Sequence, residues 1–139
     1  MKIWNLDDEN LYFRLPPIEI SRAFTWGSED RAKREVVRKA ALTVFPPILP
    51  HADWWAFRIF VQRPDDFDVD NVPKIIVDAF CVGQIRRDGS EYISVGLYQD
   101  DTATHVGMVQ IAGEQNNRGI LTTIEVFGRK DARVAHGSG

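Results

Sequence analysis

WWAFRIFVQ (Trp54–Gln62), RPDDFDVDN (Arg63–Asn71) and VPKIIVDAFCVG (Val72–Gly83) follow one another through the middle of the chain, and their reading decides the fold. In the first, Trp55, Phe57, Ile59 and Val61 alternate with Ala56, Arg58, Phe60 and Gln62, which is the period of a strand. The last places Ile75, Ile76, Ala79 and Phe80 at helical spacing, with Pro73 in the first turn, where no amide partner is lost. Between them, Asp65, Asp66, Asp68 and Asp70 put four acids into six consecutive positions. The central unit is therefore an apolar strand that enters a helix through an acidic loop.

Toward the N-terminus, the pattern predicts a helix over Glu29–Phe45. Ser28 can cap it, Glu29 and Asp30 complement its dipole, and Pro46-Pro47 stop it. Ala32, Val36, Val37, Ala40, Ala41 and Val44 make its apolar face, and the basic residues between them are expected to project elsewhere. Asn10–Leu15 reads as a strand, and Pro16-Pro17 opens an irregular stretch to Gly27 that suits a loop or edge. Toward the C-terminus, strands are expected near Tyr92–Leu97, Thr104–Ile111 and Ile120–Phe127, the last two joined as a hairpin through Gly113–Gly119. This order gives an α+β domain, a mixed or antiparallel sheet with two main helices packed on it, over residues 1–130. Residues 131–139 read as a disordered tail.

The chain has 139 residues, of which 44% are hydrophobic, and a single cysteine. That is enough for one core without disulfides or a cysteine-based zinc cluster. No apolar run is long enough to span a membrane, and MKIWNLDDEN is acidic where a leader would be apolar, so a cytoplasmic location is expected. Seventeen basic residues against twenty acidic ones give a net charge of −3, which by itself argues against a nucleic-acid partner. The acids, however, are clustered. Setting aside Asp65, Asp66, Asp68, Asp70, Asp100 and Asp101 leaves 14 acids against 17 bases.

Adjacent carboxylates raise each other's pKa unless a cation lies between them. Hard oxygen donors without Cys or His partners suit Mg²⁺, with Mn²⁺ as substitute, better than zinc. A calcium loop of the EF-hand type is excluded, because Asn71 stands where its glycine belongs and Val77 where its glutamate belongs. Asp70, Lys74 and Asp78 lie four residues apart and share one side of the expected helix. That stripe can be an active-site layout, or a helix cap followed by an ordinary surface ion pair; spacing alone leaves both open. His51, His105 and His136 share no ligand-like spacing.

The whole pattern, Asp68-Val69-Asp70-Asn71-Val72-Pro73-Lys74 with Asp78-Ala79 and then Asp100-Asp101, resembles the RusA family of Holliday-junction resolvases. The likeness extends to the Pro-Pro strand of Leu11–Pro17 and to the C-terminal strands, over about Leu11 to Phe127. It implies a homodimeric, Mg²⁺-dependent endonuclease of DNA recombination and repair that resolves four-way DNA junctions by paired nicks. Carried over by motif position, Asp68, Asp70 and Asp101 would bind metal with Asp100 beside them, and Lys74 would be the essential lysine. Asn71 and Asp78 would be supporting residues. The connection from Asp78 to Asp100 is longer than is usual in that family. Other branched or single-stranded DNA, or a catalytically silent binding module of the same fold, are the alternatives. Arg31, Lys33, Arg34, Arg38 and Lys39 on the first helix, with Arg86 and Arg87, are the candidate DNA-binding residues.

Overall fold

The computed structural model describes residues 5–22, 30–66, 72–100 and 105–130. In chain order these form strands β1 (Tyr12–Arg14) and β2 (Ile18–Ile20), helix α1 (Asp30–Val44), strand β3 (Trp55–Arg63), helices α2 (Val72–Ala79) and α3 (Val82–Arg87), and strands β4 (Val106–Gln115) and β5 (Leu121–Arg129). They make a single small α+β domain with one mixed five-stranded sheet. The order is β1-β5-β3-β4, with β2 also paired to β5. β3 runs parallel to β4 and antiparallel to β5.

The alternation of β3 explains its central place. Trp55, Phe57, Ile59 and Val61 are 0–2% exposed and face the helices. α1 covers them with Val37 and Ala41, joined by Phe45 just past its end, and α2 with Val72, Ile75, Ile76 and Ala79. Phe80 stacks on both Phe45 and Phe57, with ring centroids 5.8 Å apart in each pair. Each such side chain contributes about 1.5–3 kcal/mol by leaving water. On the opposite face, Leu6, Tyr12, Ala56, Met108 and Phe127 form a smaller cluster. Arg14 and Arg58 lie over the Phe127 ring, at 5.0 and 5.1 Å from its centroid. Arg58 donates to Glu125 at 2.8 Å and to Asp7 at 2.9 Å, so this lid is built of charges that satisfy one another. No helix among the described residues is long and apolar enough to cross a membrane.

Four expectations are corrected. First, β4 and β5 do not pair as a hairpin. They flank β3, because a hairpin would leave the most apolar strand with an unpaired edge. Their connection passes the end of β3, where the Asn116 amide donates to the Arg63 carbonyl at 2.8 Å. Second, Tyr92–Leu97 is not a strand: Ile93–Val95 is a 3₁₀ turn. Both edges of β3 are taken, so these residues bury Val95 by coiling rather than by pairing. Third, the helix expected over Val72–Gly83 breaks. Cys81 is extended, and the Val82 amide donates to the Tyr98 carbonyl at 2.8 Å, so α3 starts afresh at a new angle. Fourth, the stretch expected as irregular contains β2, which pairs with Thr122–Ile124 of β5. The Ser28 cap and the 131–139 tail lie outside the described residues.

Candidate functional site

The acidic loop leaves β3 at Arg63, whose guanidinium holds Asp65 in a two-pronged grip at 3.0 and 2.7 Å. Those hydrogen bonds keep the Asp65 carboxyl below its ordinary value. Asp65 is thus already neutralised by a neighbour and leaves the set of acids that would need a cation. Asp68, Asp70 and Asn71, and also Asp101, lie outside the described residues. Among the described residues, no three His, Cys, Asp or Glu side chains converge as a metal-binding group.

Beyond the loop, α2 begins at Val72, with Pro73 in its first turn as expected. Val72, Ile75, Ile76, Val77 and Ala79 are buried, which turns Lys74 to solvent. The Lys74 ammonium lies 3.3 Å from Asp78, and the two side chains are 73% and 14% exposed. A pair this open to water contributes under about 1 kcal/mol to folding, so the lysine can leave it for another anion at little cost. Asp100 is not on α2 but lies near its other end. The Gln99 carbonyl accepts from the Gly83 amide at 3.3 Å and from Cys81 Sγ at 3.1 Å, so exposed Asp100 emerges at the α2–α3 junction. Lys74 stands in the first turn of α2 and Asp100 beyond its last. Eight residues of helix span about 12 Å.

The basic residues of α1 divide into two groups. Arg38 was expected on a solvated face but is fully buried. Its Nε donates to the Ala79 carbonyl at 2.7 Å and its Nη1 to Asp88 at 2.9 Å. Arg34 forks onto both oxygens of Asp88 at 2.8 Å each, and Gln84 donates to the same carboxylate at 2.9 Å. Burial pushes the Asp88 carboxyl up, but the donors from Arg34, Gln84 and Arg38 outweigh it and hold it far below the usual range. Asp88 in turn raises Arg34, with a smaller contribution from the charge of Asp78. Arg38 is thus a structural residue that ties α1 to α2 and α3. Lys33 is half-buried, 3.8 Å from Asp30.

Arg31 and Lys39 remain exposed, as do Arg86 and Arg87 in the last turn of α3. Gly89, at φ +65°, ends α3 in a conformation that favours glycine. A side chain at Gly89 would lie 3.7 Å from the Arg31 guanidinium, which brings Arg31 beside the Arg86-Arg87 turn. These three form the exposed cationic corner of the domain. The sequence reading missed Asp88, although one signal was present: Arg38 falls between Val37 and Ala41, on the face that must be buried, and there it needs an acid partner.

A scan against protein-family models matches none, and a search of curated proteins finds no significant relative.

Proposed function

We propose that the chain is a RusA-like, Mg²⁺-dependent endonuclease that acts on branched DNA as a homodimer. The observation that carries the reading is the motif of Asp68, Asp70, Asn71, Lys74, Asp78 and Ala79 at fixed spacing, followed by Asp100-Asp101. Three features of the fold support it. Lys74 projects into solvent from an otherwise buried helix, held only by a weak partner. Asp100 is exposed and carries no basic partner among the described residues. Arg31, Arg86 and Arg87 offer a cationic corner that a phosphate backbone can approach.

Asp68, Asp70 and Asp101, with Asp100 beside them, would hold Mg²⁺, or Mn²⁺ in its place. The donor set fits that class, since every member is a hard carboxylate oxygen and Asp65 is withdrawn by Arg63. When bound, such an ion supplies Lewis-acid charge and lowers the pKa of its water. Lys74 exchanges Asp78 for a phosphate oxygen and offsets charge that grows on it during hydrolysis. Asp78 positions the ammonium until substrate arrives. Two-fold symmetry in a homodimer would match the pseudo-two-fold axis of a four-way junction and allow paired nicks.

The test is incubation with synthetic four-way junctions, flaps, single strands and linear duplex in Mg²⁺. Paired nicks in the junction that vanish in Asp70→Asn are expected. Equal cutting of linear duplex refutes the junction preference. If no substrate is cut and calorimetry detects no Mg²⁺ site that Asp68→Ala with Asp70→Ala removes, the silent binding module is correct.

A further inference from the structure

The sheet has two outer edges, and they are built differently. At one, β1 and β2 are three residues long each and are separated by Pro16-Pro17, with Arg14 and Glu19 among their residues. Short strands, prolines and charges are the usual guards against pairing with another chain. At the other edge, β4 runs for ten residues, and no strand among the described residues pairs with its outer side. Val106–Gly113 contains no charge and no proline. Its one irregularity lies at Gly107, and from Met108 onward its ladder to β3 is regular.

Exposure sets β4 apart from its neighbour in the same way. On the helix side of the sheet, Phe57 and Ile59 are 0% and 1% exposed. Their partners one strand out, Val109 and Ile111, are exposed and half-buried. The helices thus stop short of the edge and leave an apolar pair beside an open row of backbone donors and acceptors. On the other side, Gln110 is exposed, and among the described residues its amide donates only to the Met108 sulfur, a weak acceptor, at 3.2 Å.

The order of residues selects the occupant. A two-fold axis normal to the sheet lays a second β4 antiparallel beside the first and keeps each face of the sheet on its own side. Opposed residues must then share a face, so the axis has to pass through a residue. Centred on Gln110, the register sets Val109 against the partner's Ile111, Met108 against the partner's Ala112, and Gln110 against its own copy. Apolar meets apolar, amide meets amide, and Glu114 falls opposite Val106 rather than another acid. Centred one residue later, Met108 would face Glu114; one residue earlier, it would face Gln110.

We infer that β4 pairs with β4 of a second copy in this register, joining the two sheets into one. The inference gives a surface to the dimer proposed above and rests on that reading for its use. Both α2 helices, and with them both Lys74 side chains, then lie on one face of the pair, where a single branched DNA can meet them.

The test is sedimentation velocity of the whole chain over a concentration series, in EDTA and without DNA. A species of twice the 15.8 kDa chain mass is expected to grow with concentration. Val109→Lys puts a charge into the join and should raise the dimer dissociation constant at least about tenfold, with circular dichroism confirming that it folds. Disulfide trapping reads the register. Opposed Cα atoms in an antiparallel pair lie about 4.5–5.5 Å apart, within disulfide reach. Gln110→Cys should therefore crosslink to its own copy on mild oxidation, whereas Glu114→Cys, about 27 Å from its copy along the strands, should not. The native Cys81 is buried and takes no part. A monomer throughout the series, a dimer that Val109→Lys leaves unchanged, or crosslinking of Glu114→Cys in place of Gln110→Cys overturns the inference. Neither measurement contains metal or reads cleavage, so failure of the junction assay leaves both outcomes unaffected.

Discussion

Replacing Asp88 by Asn tests the charge network that joins the three helices. The carboxylate accepts from Arg34 twice at 2.8 Å, from Arg38 at 2.9 Å and from Gln84 at 2.9 Å. Its side chain is 5% exposed and that of Arg38 is 0% exposed, so the substitution leaves a buried guanidinium whose nearest remaining carboxylate is Glu35, at 3.7 Å. Removing one partner of a buried ion pair costs about 3–5 kcal/mol, because the other charge stays out of water. At about 2.1 cal/mol/K of unfolding entropy per residue, that lowers Tm by about 10–17 °C in a chain of this length. Calorimetry and urea unfolding at pH 7 measure both quantities.

The pH dependence supplies a second readout of the same variant. Asp88 has its carboxyl depressed in the folded state, so its stabilisation is present above the ordinary value of 3.8 and is lost as pH falls toward its folded value. The gap in stability between wild type and Asp88→Asn should therefore narrow progressively below about pH 4. Replacing all three charges, as Arg34→Met and Arg38→Met with Asp88→Leu, should cost less than Asp88→Asn alone, since no guanidinium is then left without its carboxylate. A loss under about 1 kcal/mol for Asp88→Asn, constant with pH, would refute the reasoning.

Lys74→Gln should leave Tm within about 2 °C, because its pair with Asp78 is exposed, yet lower junction cleavage about 10²–10³-fold by the loss of a charge that acts on the transition state; a matching fall in stability would make the residue structural. Phe80→Ala removes a fully buried ring stacked on Phe45 and Phe57 and should cost about 3–5 kcal/mol in urea unfolding. Arg86→Gln with Arg87→Gln should weaken DNA binding without changing Tm, and should reduce the slope of log affinity against log salt by about 1–2, measured by fluorescence anisotropy. An unchanged slope would move the DNA surface away from that corner.

The fold was legible in the sequence wherever a local period and a buried face coincide. The alternation of Trp55 to Val61 and the apolar face of Val37 and Ala41 both survive in the structure. What escaped was decided by competition among distant segments. Tyr92–Leu97 has the residues of a strand, but both edges of the central strand β3 are taken by β4 and β5, and its middle coils into a 3₁₀ turn. The segments of β4 and β5 carry hairpin signals between them, yet β3 offers each a better partner than they offer one another. Likewise, the spacing of Lys74 and Asp78 foretold their contact, whereas the burial of Arg38 depended on Asp88, 50 residues away. A helical wheel holds no information about a partner on another element.

The placing of β5 has a consequence for how the chain reaches this state. β5 is the last strand among the described residues, and it is the neighbour of β1, β2 and β3 alike. During synthesis, therefore, β1 and β2 must wait for Leu121–Arg129 before their ladder bonds can form, and β3, which can pair first with β4, keeps its other edge open until then. The helices can coil locally in the meantime, but Trp55–Val61 then has β4 on one side alone and an open edge on the other. Such late closure over long loops slows folding and lengthens the time for which a sticky segment stands open to other chains. A nascent chain halted before Leu121 should bind holdase chaperones that release the finished one.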